Sequence, residues 1–214
     1  MRVIAGSARG RRLRCPAGRE VRPTADRVRE SLFAILGGSV EGARVLDLFA
    51  GAGTLGIEAL SRGAAEAVFV EGDRRVAAAL RSNLEATGFL AQSRIIVSDV
   101  FAALRRLAGE GGKFQLILAD PPYGRGLARR TVEALASWAG KSAGCRLVVE
   151  HSRHDDLPPW VEGLSLVRQE RYGETVLSFY QVASLHPTER QEREGPEKEK
   201  EVFRNEDRRL PGEL

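Results

Sequence analysis

Apolar positions recur along the chain in short runs, each closed by a turn and followed by residues spaced for a helix. Four such runs are Arg44–Phe49 (RVLDLF), Glu66–Glu71 (EAVFVE), Arg94–Asp99 (RIIVSD) and Phe114–Asp120 (FQLILAD). A fifth, Cys145–Glu150 (CRLVVE), follows the helix-like stretch Leu127–Trp138. Between them, Thr54–Ser61, Arg74–Ala86 and Val100–Leu107 carry apolar residues three and four apart, the spacing of one helix face. Runs rich in Val, Ile and Leu without alternation are what a parallel sheet covered by helices on both faces requires. The βαβαβαβαβ order predicts right-handed crossovers and an open, doubly wound α/β sheet.

After Trp160 the pattern changes. Leu164–Glu170 and Thr175–Val182 read as two strands joined around Tyr172-Gly173-Glu174, a terminal antiparallel hairpin that brings the expected sheet to seven strands. At the other end, Arg2–Ala5 and Arg11–Arg14 are expected to pair through Gly6–Gly10. Thr24, after Pro23, is expected to cap a helix running through Asp26, Val28, Leu32, Phe33 and Leu36 to Gly37-Gly38. The chain thus divides into an N-terminal extension (1–40), an α/β domain (41–183) and a charged tail (184–214). The tail has little apolar periodicity, with prolines at 187, 196 and 211, and is expected to be disordered.

Composition adds little until charge is resolved by position. With 43% hydrophobic and 29% charged residues in 214, the chain can build a core. No apolar run approaches the roughly 18 residues of a membrane span, and the N-terminus carries no cleavable leader, so a cytoplasmic protein is expected. Cys15 and Cys145 lack CxxC partners, and His151, His154 and His186 lack ligand spacing, so neither a disulfide framework nor a metal site is expected. The net charge is +4, yet residues 1–30 hold nine arginines against Glu20, Asp26 and Glu30, which is +9 − 3 = +6 and leaves −2 for the rest. Such asymmetry points to a polyanion met by the N-terminal segment, with Arg9, Arg11, Arg12, Arg14 and Arg22 as phosphate contacts. A solvated basic arm without a ligand is the alternative.

The sharpest local pattern is Asp47-Leu-Phe-Ala-Gly51-Ala-Gly53-Thr54-Leu-Gly56, a GxGxxG between strand and helix. Glycine serves here because the turn is tight and a ligand must approach the backbone. Glu71 ends the second strand, where a carboxylate can accept both hydroxyls of a ribose, and Asp99 ends the third, beside an adenine. Each also reads as a mere turn glycine or helix cap, but three features on one sheet edge favour a nucleoside. Asp47, four residues before Gly51, would repel a pyrophosphate and could hold the cationic end of S-adenosylmethionine, which favours that cofactor over a dinucleotide.

The fourth strand ends in Asp120-Pro121-Pro122-Tyr123. Two prolines fix the loop, presenting a carboxylate, a carbonyl and an aromatic ring together. That set suits an exocyclic amine on a planar base, with the Asp120 carboxylate and Pro121 carbonyl accepting its two protons and Tyr123 stacking on the ring. The amine's lone pair is delocalised and weakly nucleophilic, and two acceptors placed for a tetrahedral nitrogen favour the transition state. As a purely structural feature, the motif would only end a strand and pack a ring.

Asp120-Pro-Pro-Tyr123 resembles the (D/N)PPY signature of amino methyltransferases of the class I S-adenosylmethionine fold, a Rossmann-like, mostly parallel seven-stranded sheet with a terminal antiparallel hairpin. Further segments are similar to the RsmD family, bacterial 16S rRNA guanine-N2 methyltransferases: Met1-Arg-Val-Ile-Ala-Gly6, Gly10-Arg-Arg-Leu13, Arg22-Pro-Thr24, Asp26-Arg-Val-Arg-Glu30, Asp47-Leu-Phe-Ala-Gly51, Leu60-Ser-Arg-Gly63, and Tyr172-Gly173 with Thr175. The resemblance covers about residues 1–183. It implies methyl transfer from S-adenosylmethionine to N2 of one guanine in 16S rRNA, within the small ribosomal subunit or an assembly intermediate; a monomer is expected. Carried over by motif, Asp47, Gly51, Gly53, Glu71 and Asp99, with their neighbours Phe49, Ala50, Thr54 and Val100, would bind the cofactor. Asp120, Pro121, Pro122 and Tyr123 would hold the guanine, and Arg22, Thr24 and Arg27 would border the RNA. Three other activities are open to parts of this pattern. A DNA adenine-N6 or cytosine-N4 methyltransferase uses the same motif but needs a target-recognition domain. An NAD-dependent oxidoreductase leaves Pro-Pro-Tyr idle, and an RNA-binding module explains only the arm.

Overall fold

The computed structural model describes residues 1–15, 23–138 and 140–182. The tail expected over 184–214 lies outside them. Eight strands form one sheet: β1 (Arg44–Leu48), β2 (Glu66–Glu71), β3 (Ser93–Val97), β4 (Phe114–Ala119), β5 (Lys141–Ser152), β6 (Trp160–Val161), β7 (Leu164–Tyr172) and β8 (Thr175–Val182). Their order is β3-β2-β1-β4-β5-β8-β7-β6. The first five pair in parallel, and β8 runs antiparallel between β5 and β7. The expected hairpin is therefore present, but among the described residues the sheet has eight strands and not seven. The additional strand is the two-residue β6, too short to leave a periodic signal, which extends the edge beyond β7.

Among the described residues, five α-helices cover the sheet: α1 (Pro23–Leu36), α2 (Thr54–Ser61), α3 (Arg74–Thr87), α4 (Val100–Gly109) and α5 (Leu127–Ala136). Alternation along each strand sorts the core into two layers. Val45, Phe69, Leu116, Leu118, Val148, Leu177 and Phe179 meet α1, α2 and α3 on one face. Leu46, Leu48, Val70, Ile117, Val149 and Tyr180 meet α4 and α5 on the other. Because β2 and β4 flank β1, consecutive connections diverge to opposite sides beyond β1, and a crevice opens there at the carboxyl edge.

The N-terminal extension belongs to this core and is not a free arm. Arg2 and Arg12 form an antiparallel bridge, as the expected hairpin requires. Val3, Ala8 and Leu13 alternate with the arginines and are buried with Val28, Leu32, Phe33 and Leu36 of α1. The buried Glu58 carboxylate of α2 accepts the backbone N–H groups of Ile4 at 2.8 Å and Ala5 at 3.0 Å. Gly6 (φ 82°) lies so close to Ser61 that a Cβ there would come within 1.7 Å of its carbonyl oxygen. α1 opens at Pro23, one residue before the threonine expected to cap it, because proline has the fixed φ of a first helical residue and no N–H to leave unpaired.

Candidate active site

The turn between β1 and α2 is buried and held from four sides. Ala50 N–H donates to the Val70 carbonyl at 2.9 Å, and Gly51 N–H to Glu71 Oε2 at 2.8 Å. Gly53 N–H donates back to the Ala50 carbonyl at 2.8 Å, and Asn83 Nδ2 to the Ala52 carbonyl at 2.9 Å. Gly53 (φ 83°) is the residue before α2, and a Cβ on it would meet Leu80 Cδ1 at 2.3 Å. Gly53 has no side chain to cap α2; the first-turn N–H of Gly56 goes instead to Asp47, and those of Thr54 and Leu55 are left at the turn. Phe49 adopts φ 60° without being glycine. That conformation costs on the order of 1–3 kcal/mol and is typical of residues whose position is imposed by a site.

Asp47 is placed differently from the expectation that it faces a ligand. Its side chain points from β1 into the junction with α2, only 1% exposed, where Oδ2 accepts Gly56 N–H at 2.9 Å. A Cβ at Gly56 would lie 2.3 Å from the Phe69 ring and 3.0 Å from that oxygen, so the third glycine lets helix and strand close around the carboxyl. Burial pushes the Asp47 carboxyl up to about 8, against the pull of the Gly56 N–H and aided by Glu71. The folded protein therefore keeps a proton that the unfolded chain loses near pH 4. The resulting stability is full below about pH 4 and fades as pH rises through about 8. Asp47→Asn should flatten this fall. Melting temperatures followed by calorimetry from about pH 5 to about pH 9 will run parallel in the two proteins only if the penalty lies elsewhere.

Glu71 and Asp99 reach the same edge as expected, and each also has a structural task. Glu71 Oε1 accepts Asp73 N–H at 2.8 Å while Oε2 holds Gly51, so the acid at the end of β2 shapes the glycine turn. Its four lone-pair sites leave room for ribose hydroxyls. Asp99 is exposed, and Oδ1 accepts Ala102 N–H at 3.0 Å as the cap of α4, whose first residue Val100 is buried.

Asp120 follows β4 directly, and its N–H approaches the Leu48 carbonyl at 3.5 Å, so the Asp120–Tyr123 segment and the glycine turn leave adjacent strands. Pro121 is buried, whereas Asp120 and Pro122 are exposed. The Tyr123 hydroxyl lies 3.1 Å from Glu150 Oε1 on β5 and 3.2 Å from Thr175 Oγ1 on β8. Burial raises the phenol above its ordinary value, and the Glu150 carboxylate adds to the rise. Sequence reasoning gave Glu150 no role, although it closes the predicted run Cys145–Glu150 as Glu71 closes its own. It also missed Asn83, whose Oδ1 accepts Arg14 N–H at 2.8 Å while Nδ2 donates to the Arg14 and Ala52 carbonyls at 2.9 Å. The sign of Asn83 was a polar residue on the buried stripe Val76, Ala77, Leu80 and Leu84.

The side chains of Arg9, Arg11, Arg12, Arg14 and Arg27 are exposed, while Arg29 is buried against Asp26 and Glu58. Arg22 and the Thr24 side chain lie outside the described residues. Among the described residues, no group of three His, Cys, Asp or Glu side chains could hold a metal ion, and no helix is long and apolar enough to cross a membrane.

Residues 1–181 match the family model described as conserved hypothetical protein 95. The chain is 38% identical over 181 residues to ribosomal RNA small subunit methyltransferase D of Escherichia coli strain K12, covering 85% of this chain and 89% of that protein. The solved structure of the Escherichia coli protein yhhF superposes with a TM-score of 0.75 at 38% identity, over 86% of this chain and 99% of that one. At the level of fold alone, the chain resembles an O-methyltransferase of Bacillus cereus in complex with S-adenosylhomocysteine. The TM-score is 0.58 at 17% identity, over 78% of this chain and 84% of that one.

Proposed function

Because the chain belongs to the RsmD family, whose model spans residues 1–181, we propose that it methylates small-subunit ribosomal RNA at the exocyclic N2 amine of a guanine. The methyl donor is S-adenosylmethionine. The observation that carries this reading is the convergence of two motifs at the β1–β4 switch point. The buried glycine turn after β1 and the Asp120–Tyr123 segment after β4 leave adjacent parallel strands.

The residues present fit the donor. Glu71 and Asp99 stand at successive strand ends for ribose and adenine, and the start of α2, which Gly53 does not cap, offers the N–H groups of Thr54 and Leu55. Phe49, held at φ 60°, opens the same turn. Asp47 supports this site from beneath by fixing Gly56. When bound, S-adenosylmethionine supplies an electrophilic sulfonium methyl.

The chain's own residues prepare the amine. The Asp120 carboxylate and the Pro121 carbonyl accept its two N–H protons in a geometry that suits a tetrahedral nitrogen and not the flat ground state. Tyr123 stacks on the base, and Asp120 receives the proton released as the N–C bond forms. The target base must be unstacked to enter, which favours a looped or assembling RNA over a closed duplex.

The decisive experiment is transfer of labelled methyl groups to naked 16S rRNA, small subunits and DNA, followed by nucleoside analysis. N2-methylguanosine from rRNA is expected, and label on adenine N6 or cytosine N4 would overturn the assignment. The exposed Arg11, Arg12 and Arg14 are proposed to contact phosphate, with Arg9 and Arg27 beside them. Replacing these three with alanine should weaken RNA binding and reduce the salt slope of log K by about 2, at about 0.7 per phosphate on single strands. An unchanged slope would move the phosphate contacts to another face.

A further inference from the structure

Proline fixes the backbone at 121 and 122, but nothing in that backbone sets the ring of Tyr123. The following residues are permissive, with Gly124 at φ 73° and Gly126 at φ 65°. The Tyr123 hydroxyl reaches two other strands. Glu150 and Thr175 lie on one face of the sheet, in line with Val148 and Leu177 of the α1–α3 layer. The tyrosine donates to Glu150 Oε1 at 3.1 Å and accepts from Thr175 Oγ1 at 3.2 Å, which uses its one proton and one lone pair.

The anchor is itself braced. Thr175 pairs with Tyr172 across the two-residue turn Gly173-Glu174. The Tyr172 hydroxyl hydrogen-bonds Ser31 on α1. Arg153 N–H donates to the Glu174 carbonyl at 2.9 Å, and its guanidinium pairs with the Glu174 carboxylate at 2.8 Å. The hairpin tip is therefore fixed both to α1 and to the end of β5.

We infer that Glu150 and Thr175 are positioning residues that clamp the Tyr123 hydroxyl from β5 and β8 and so fix the plane on which the target base stacks. This rests on the assignment of Asp120–Tyr123 to the base. A tilted ring carries the amine away from Asp120, and misplacement by about 1 Å can cost about a hundredfold in rate. The phenol stays protonated because burial and Glu150 raise it, so the donor half of the clamp persists at working pH.

The test is a mutant cycle read as kcat and KM for methyl transfer to the rRNA substrate, with S-adenosylhomocysteine binding as the check on folding. Tyr123→Phe and Glu150→Ala should each lower kcat about tenfold while KM for RNA moves less than about twofold. Glu150→Gln keeps an acceptor oxygen and should restore most of the loss, and the isosteric Thr175→Val should cost about threefold. In Tyr123→Phe, adding Glu150→Ala should change nothing, because no hydroxyl remains to be held. Multiplying losses in the double variant, or Glu150→Gln as poor as alanine, would overturn the clamp and make Glu150 a direct contact of the substrate. If Glu150→Ala fails to bind S-adenosylhomocysteine, Thr175→Val and Glu150→Gln decide by the same criteria. Loss of transfer in Asp120→Ala alongside multiplying losses here removes the clamp alone. Full transfer in Asp120→Ala removes the base site itself.

Discussion

Asp120→Ala should lower methyl transfer by about a thousandfold while leaving S-adenosylhomocysteine affinity within a factor of about two. The carboxylate stands at the end of β4, outside the glycine turn, and its residue is exposed, so truncation leaves the turn and both core layers intact. What is lost is the proposed acceptor for the amine and its proton. Asp120→Asn keeps one carbonyl acceptor and loses the base, so its activity should fall between the two. Single-turnover rates with calorimetry on the same preparations separate chemistry from binding. Equal loss of both quantities would show that Asp120 holds the cofactor turn and not the base.

The second large effect is on stability. Glu58 is 1% exposed, yet its carboxylate takes Ile4 and Ala5 N–H groups, the Arg62 Nε–H at 2.8 Å, and faces the buried Arg29 at 3.8 Å. Arg29 in turn donates to the Arg2 carbonyl at 2.5 Å and to Asp26 at 3.1 Å. Burial lowers the Arg29 guanidinium from its ordinary value and the Glu58 charge raises it. Removing Glu58 therefore leaves two backbone donors without their acceptor and the buried Arg29 with only the part-exposed Asp26 as counter-charge, a loss of about 3–5 kcal/mol. Glu58→Ala should melt on the order of 10 °C lower than the wild type. Proteolysis should then cut first within residues 1–15, whose exposed arginines become accessible when the segment lifts. A melting temperature within about 2 °C would mean that Val3, Ala8 and Leu13 hold the segment unaided.

Much of this arrangement was legible in the sequence because periodicity reports burial of apolar residues. β2 and α2 fall on the predicted Glu66–Glu71 and Thr54–Ser61. β5 begins four residues earlier than expected because Lys141–Gly144 lacks an apolar pattern, and its register with β4 shifts there. Polar residues that function by being buried give periodicity no such handle. Glu58 and Asn83 lie inside apolar helix faces, where only their being out of place betrays them. The basic residues at the N-terminus read as a polyanion-facing hairpin, and the packing of that hairpin into the core was not legible because the three apolar residues Val3, Ala8 and Leu13 are too few to announce a core face. Asp47 shows the converse limit, since strand-end position predicted its place but not that its side chain would turn inward.

The position of β8 bears on how the protein matures. The last strand of the sheet to be synthesised is not at an edge but between β5 and β7, with seven residue pairs to β5. During translation the β5 edge stays unpaired until Thr175–Val182 has left the ribosome, and an unpaired strand of that length is a template for aggregation. A chain released before that point carries the glycine turn and Asp120 but lacks Thr175 and a closed sheet. Closure of the sheet and arrival of Thr175 beside Tyr123 are thus one late event in the synthesis of the chain.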